Sequence, residues 1–103
     1  MSEKKRNAPI TKSYIDDIRK YLRVSSSSTD GEIKDLIQAA RDDLVLGGLK
    51  AVKVRNESDA LIKRAVGTYV KAEYGLDNAD SEKYRASYVD LKNRLSLSDE
   101  YKA

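Results

Sequence analysis

Apolar positions recur at helical spacing along most of this chain, with polar clusters separating the runs. Ile10, Tyr14, Ile15, Ile18, Tyr21 and Leu22 form a one-sided stripe, the pattern of a helix that buries one face. Thr11 or Ser13 can cap it, and Ser13 with Asp16 resembles a capping box. Asp16 and Asp17 lie towards the positive end of the helix dipole, and Arg19, Lys20 and Arg23 follow towards the negative end. Ser25 to Asp30 reads as a linker, because hydroxyl side chains compete for backbone hydrogen bonds. Thr29 with Glu32 is a clearer capping box. It opens a second helix that buries Ile33, Leu36, Ile37, Ala40 and Leu44 and stops at Gly47-Gly48.

Leu61, Ile62, Ala65, Val66, Tyr69 and Val70 mark a third helix, capped by Ser58 or Asn56, running to about Tyr74 and closed by Gly75. Leu76 fits the apolar contact of a helix-ending motif, and Asp77 to Ser81 is a turn. A fourth helix, Glu82 to Leu95, carries Tyr84, Tyr88, Leu91 and Leu95 in a narrow seam. Between the second and third helices, Leu49 to Arg55 mixes valines with Lys50, Lys53 and Arg55, which predicts an extended loop or short hairpin arm. The pattern therefore predicts an all-α, four-helix bundle-like domain over residues 10–95, with a flexible arm at 1–9 and a polar tail at 96–103. No internal repeat is visible.

Composition narrows the chemistry. At 103 residues the chain is one domain with a modest core. It has no cysteine and no histidine, which removes disulfides, thiolate metal sites and the commonest general base. No apolar run approaches the ~18 residues of a membrane span. Lys4, Lys5 and Arg6 have no apolar stretch behind them, unlike a secretory signal. A soluble protein of a reducing compartment, without cofactor, metal or membrane partner, is expected.

The net charge of +3 is far from the one-sided basicity of most stand-alone DNA binders. Local charge is more uneven. Thr29–Leu46 sets two bases against five acids, and Gly47–Arg64 sets five bases against two acids. Such opposed patches suit self-docking, although a mixed solvated surface gives the same counts. Gly47-Gly48 lacks the Lys-Ser or Lys-Thr that completes a phosphate-binding loop. Adjacent aspartates, Asp16-Asp17 and Asp42-Asp43, diverge by about 100° on a helix and cannot converge on one substrate atom. Asp77 and Asp80 lack the pattern of a calcium loop and read as turn and cap residues. An enzyme is not indicated.

Seven tyrosines stand with no Phe or Trp. Tyr14, Tyr21, Tyr69, Tyr84 and Tyr88 lie on apolar stripes, either bordering the core or serving a subunit interface, while Tyr74 and Tyr101 at element ends favour an interface. Lys50, Lys53 and Arg55, with Lys63 and Arg64 beside them, either face water or touch duplex DNA nonspecifically. A small helical DNA-binding accessory protein is thus the alternative to an assembly protein.

The order of motifs resembles the small head–tail connector (head-completion, adaptor) proteins of long-tailed bacteriophages. The resemblance is carried by Ile18-Arg19-Lys20-Tyr21-Leu22-Arg23-Val24, Asp30-Gly31-Glu32-Ile33 through Ile37-Gln38-Ala39-Ala40-Arg41, Asp59-Ala60-Leu61-Ile62-Lys63-Arg64-Ala65-Val66 with Tyr69-Val70, and Tyr84, Tyr88, Leu91 and Leu95. It covers about Ile10 to Leu97. It implies a structural virion protein of the head–tail interface, made in the bacterial cytoplasm or encoded by a prophage. Such a protein assembles as a ring beneath the portal, twelvefold by portal symmetry, even where the isolated protein is a monomer. Its implied partners are the portal protein, the next head–tail joining (stopper) protein and passing double-stranded DNA. Carried over, Leu91, Leu95, Leu97 and Tyr101 face the portal, and Lys50, Lys53 and Arg55 face the channel. A tail that orders only on the portal implies that removing Ser96–Ala103 leaves the fold intact and abolishes docking.

Overall fold

Each apolar stripe becomes a helix, and the helices meet along those stripes. The computed structural model describes residues 9–22, 29–75 and 79–103. They form α1 (Lys12–Leu22), α2 (Asp30–Leu46), the single turn α3 (Ala51–Val54), α4 (Ala60–Glu73) and α5 (Ser81–Ser96). The fold is all-α, as the pattern predicts, and the four long helices pack as a bundle. Residues 1–8 of the arm, Arg23 and Val24, the linker residues Ser25–Ser28, the helix-ending Leu76, and Asp77 and Asn78 of the expected turn lie outside the described residues.

α4 is the central rod and packs on α1, α2 and α5. Ile18 of α1, Ile33, Ile37 and Leu44 of α2, and Ile62, Val66 and Val70 of α4 are fully buried in one core, joined by Tyr88 and Leu95 of α5. Burying each aliphatic side chain stabilises the fold by roughly 1.5–3 kcal/mol. Two close approaches fix the packing. A Cβ at Gly67 of α4 would lie 2.8 Å from the Tyr21 ring of α1, so the missing side chain lets that ring lie on the helix backbone. The Tyr69 and Tyr88 rings meet edge-on at 5.1 Å, joining α4 to α5.

Helix ends follow hydrogen-bond geometry. Thr11, not Ser13, caps α1, since its Oγ1 accepts the Tyr14 N–H at 3.1 Å. The Thr29–Glu32 box does not form: Thr29 sits at φ −99°, ψ 7°, outside the extended region, and makes no side-chain cap. Asp59 caps α4 by accepting the Ile62 N–H at 2.9 Å. Asn56 and Ser58 are engaged with each other instead, the Ser58 N–H donating to Asn56 Oδ1 at 3.0 Å. Asp80 occupies the N-cap position of α5 without a capping hydrogen bond. Gly48, at φ +102°, takes the left-handed conformation that ends α2.

Of the extended loop or short hairpin expected between α2 and α4, the structure has a loop, and it holds the one-turn α3. Lys50 is extended at φ −64°, ψ 127°, and the chain then closes a turn that buries Val54. The alternation of valines and bases mimics a strand, but core burial of one valine favours the turn.

Candidate interaction surface

The C-terminal segment is anchored to the body of its own chain. Leu49 and Lys102 form an antiparallel bridge: the Lys50 N–H donates to the Tyr101 carbonyl and the Ala103 N–H to the Gly48 carbonyl, both at 2.7 Å. Tyr101 turns inward and is only 6 % exposed. Its hydroxyl donates to the Asp59 carboxylate at 3.0 Å, the same carboxylate that caps α4. Burial, with that hydrogen bond behind it, pushes the Tyr101 phenol up to about 12. Lys53 Nζ reaches Glu100 at 3.0 Å and lies 5.4 Å from the Tyr101 ring centre. This clamp overturns the expectation of a tail that hangs free until a partner orders it.

The clamp redistributes the expected site residues. Leu95 and Tyr101 are core residues, and Leu91 is half-buried against the same cluster. Leu97 is 82 % exposed. Lys50 donates to the Asp99 carbonyl at 3.4 Å, so both loop lysines face the C-terminal segment. Arg55 is half-buried, and its guanidinium has no polar partner among the described residues. Two apolar residues not singled out from sequence join Leu97: Leu46 at 86 % and Val52 at 71 % exposure. Pairing of segments 48–50 and 101–103 brings the stretches that carry all three to one end of the bundle. Leu46, Leu97 and Val52 are the most exposed large apolar side chains among the described residues.

The tyrosines are largely used inside the protomer. Tyr14 is buried beneath Lys63 and Arg41, with Lys63 Nζ 5.4 Å and the Arg41 guanidinium 5.7 Å from its ring centre. Tyr88 is buried too, and donates to Asp43. Tyr74 is half-buried against the core. Burial drives the phenols of Tyr14 and Tyr88 well above the usual range. It also works to raise the Asp43 carboxyl, but hydrogen bonds from Tyr88 and Lys92 outweigh it and hold the group below the usual carboxylate range.

Much of the opposed charge is likewise satisfied internally. Arg19 binds Asp30 at 2.6 Å, Lys63 binds Asp17 at 2.7 Å, and Lys92 binds Asp43 at 3.0 Å. Glu57 joins three groups. It accepts the Thr11 N–H at 3.0 Å and the Thr11 hydroxyl at 2.6 Å, and meets the buried Arg41 at 3.4 Å. The loop before α4 is thereby tied to both α1 and α2. Sequence offers no signal for Glu57, whereas Asp59, placed just before an apolar run, is a recognisable cap.

Among the described residues, no three acidic side chains converge to hold a metal ion, and no helix is long and apolar enough to cross a membrane. The described residues form a helical body with aliphatic and charged side chains on its outside. The chain matches the family model described as phage connector protein over residues 14–102, and it belongs to that family. No curated protein and no solved structure matches it. The matched span runs from the buried Tyr14 to the bridging Lys102, so the C-terminal clamp lies within the family domain. Membership makes the protein a structural phage head–tail connector, a virion component that associates with other head and tail proteins.

Proposed function

We propose that this protein completes the phage head after DNA packaging, assembling as a ring beneath the portal and forming the DNA channel and the attachment point for the next head–tail joining protein. The observation that carries this reading is the family match across every described helix. The protein acts without catalysis, by covering the portal and its own neighbours. Portal symmetry sets the ring at twelve copies, and many weak contacts made together on one template give the ring its stability.

The docking end is the one carrying Leu97, with Leu46 and Val52 beside it. Leu91, Leu95 and Tyr101 support that end from below by holding α5 and the C-terminal segment in place. The loop bearing Lys50, Lys53 and Arg55 lines the channel; Lys53 is held by Glu100 and Lys50 by the Asp99 carbonyl, so Arg55 is the base best placed to meet DNA phosphates, without reading sequence.

Co-sedimentation with the isolated portal of the encoding phage tests the reading. Wild-type protein is expected to travel with the portal, and Leu97→Asp with Leu46→Asp is expected to remain in the supernatant while keeping its helical circular dichroism. Wild-type protein that never travels with the portal overturns the connector mechanism. Undiminished binding by the double variant overturns the assignment of the docking end.

A further inference from the structure

We propose that the outer stripe of α2 seats in the groove between α4 and α5 of a second copy, so that unlike faces of neighbouring protomers pair head to tail. The proposal rests on the ring reading above and names the faces that build it.

The stripe is acidic. α2 buries Ile33, Ile37, Ala40 and Leu44, so helical periodicity turns Asp35, Gln38, Asp42 and Leu46 outward. Asp35 has no partner among the described residues, and Asp42 accepts only an amide N–H from Gln38 at 3.1 Å. No base lies on this stripe; Lys34 points to its side.

The groove is basic and aromatic. Its 440 Å³ are lined by Arg64, Thr68 and Lys71 of α4, Tyr84 and Arg94 of α5, and Tyr21 of α1. The Arg64 guanidinium has no partner among the described residues. Lys71 Nζ lies 4.6 Å from the centre of the Tyr84 ring, and Arg94 pairs with Asp90 at 3.2 Å on the exposed surface. Three bases face one acid across a concave, ring-walled surface.

Placement completes the argument. α2 and α4 pack together through buried stripes. Arg64, Thr68 and Lys71 occupy the face of α4 opposite Ile62, Val66 and Val70, as Asp35 and Asp42 occupy the face of α2 opposite Ile33 and Leu44. The acidic and basic faces therefore look in opposite directions from one protomer. A two-fold dimer through the stripe would set acid on acid and be repelled. Pairing of unlike faces is attractive, and repeats from copy to copy until a ring closes.

The cysteine-free chain allows a direct test. Ala39→Cys on the α2 stripe and Thr68→Cys in the groove are combined in one chain and oxidised with diamide at high concentration, alone and with the isolated portal. A ladder of disulfide-linked multimers is expected, with neither single cysteine variant giving a dimer. Asp35→Lys with Asp42→Lys, or Arg64→Glu with Lys71→Glu, should each cut the ladder by more than about tenfold, and all four together should restore it. Circular-dichroism melts verify that each variant is folded. The proposal is overturned by no ladder under either condition, by dimers of the Ala39→Cys variant alone, or by a ladder indifferent to the reversals. It is equally overturned if Arg64→Glu with Lys71→Glu abolishes salt-sensitive binding to duplex DNA while the ladder persists, since the groove then serves nucleic acid. Charge-reversed variants that still encircle the portal sink this pairing alone, whereas wild-type protein that ignores the portal sinks the connector mechanism.

Discussion

Tyr101 fastens the end of the chain with one ring and one hydroxyl, and both can be removed separately. Tyr101→Phe keeps the buried ring but loses the bond to Asp59, a cost of about 1 kcal/mol. Tyr101→Ala leaves a cavity as well and should cost about 3–5 kcal/mol in urea unfolding. The same residue gives an alkaline signature. Its folded-state value of about 12 lies above the ordinary tyrosine value near 10, so folding favours the neutral phenol. That contribution is fully present below pH ~10 and is lost as pH rises through about 12. Buried Tyr14 and Tyr88 add to it with the same sign. Stability should hold level from neutral pH to the onset of phenol ionisation and then fall, less steeply in Tyr101→Phe. A profile unchanged by that substitution would show that Tyr101 does not titrate with folding. At this scale the sequence is partly legible. Thr11 is visible as a cap, but the choice of Asp59 over Ser58 is set by the first turn of α4 beginning at Ala60, which puts Asp59 at the N-cap.

The long helices are legible because each has a continuous apolar stripe, and tertiary packing agrees with that stripe at Ile18, Ile37, Val66 and Leu95. The α3 turn and the C-terminal segment are not legible, for a shared reason. Each is held by contacts distant in sequence, Val54 in the core and the C-terminal segment on Asp59 and residues 48–53, which leave no periodicity along the chain. Reading 96–103 as polar is correct residue by residue and misses the single inward ring. The consequence reverses an expectation. Deleting residues 97–103 exposes Leu49, removes two backbone hydrogen bonds of the bridge and empties the Tyr101 site. It should therefore lower the thermal midpoint at least as much as Tyr101→Ala, rather than leave the body intact. Equal midpoints for the deletion and the full chain would show that the clamp does not hold in solution. Gly67 makes a similar point within α4. Alanine there improves helix propensity by about 1 kcal/mol, yet its methyl would displace the Tyr21 ring. Gly67→Ala is expected to be net destabilising, and Gly67→Ala combined with Tyr21→Ala to be less so than the sum of the two.

Over the whole molecule, surface and core divide the work. Tyrosines and long-range ion pairs hold one copy together, and the surface keeps exposed aliphatics and two faces of unlike charge. Association with other phage proteins is the part of the function that the sequence pointed to, whereas the docking end proposed above follows only from the clamp, which claims Leu95 and Tyr101. Substitutions there should separate folding from docking. Leu97→Asp, Leu46→Asp and Val52→Asp, each at an exposed site, are expected to change stability by no more than about 0.5 kcal/mol, as read by urea unfolding. The most direct test of the account is cryo-electron microscopy of the protein mixed with the portal of its own phage. The account predicts a closed ring of helical density on the portal's tail-facing rim, with the Leu97 end against the portal and the Lys50–Arg55 loop towards the channel. Portals that remain bare at saturating protein, or copies bound singly with no contact between neighbours, would contradict it.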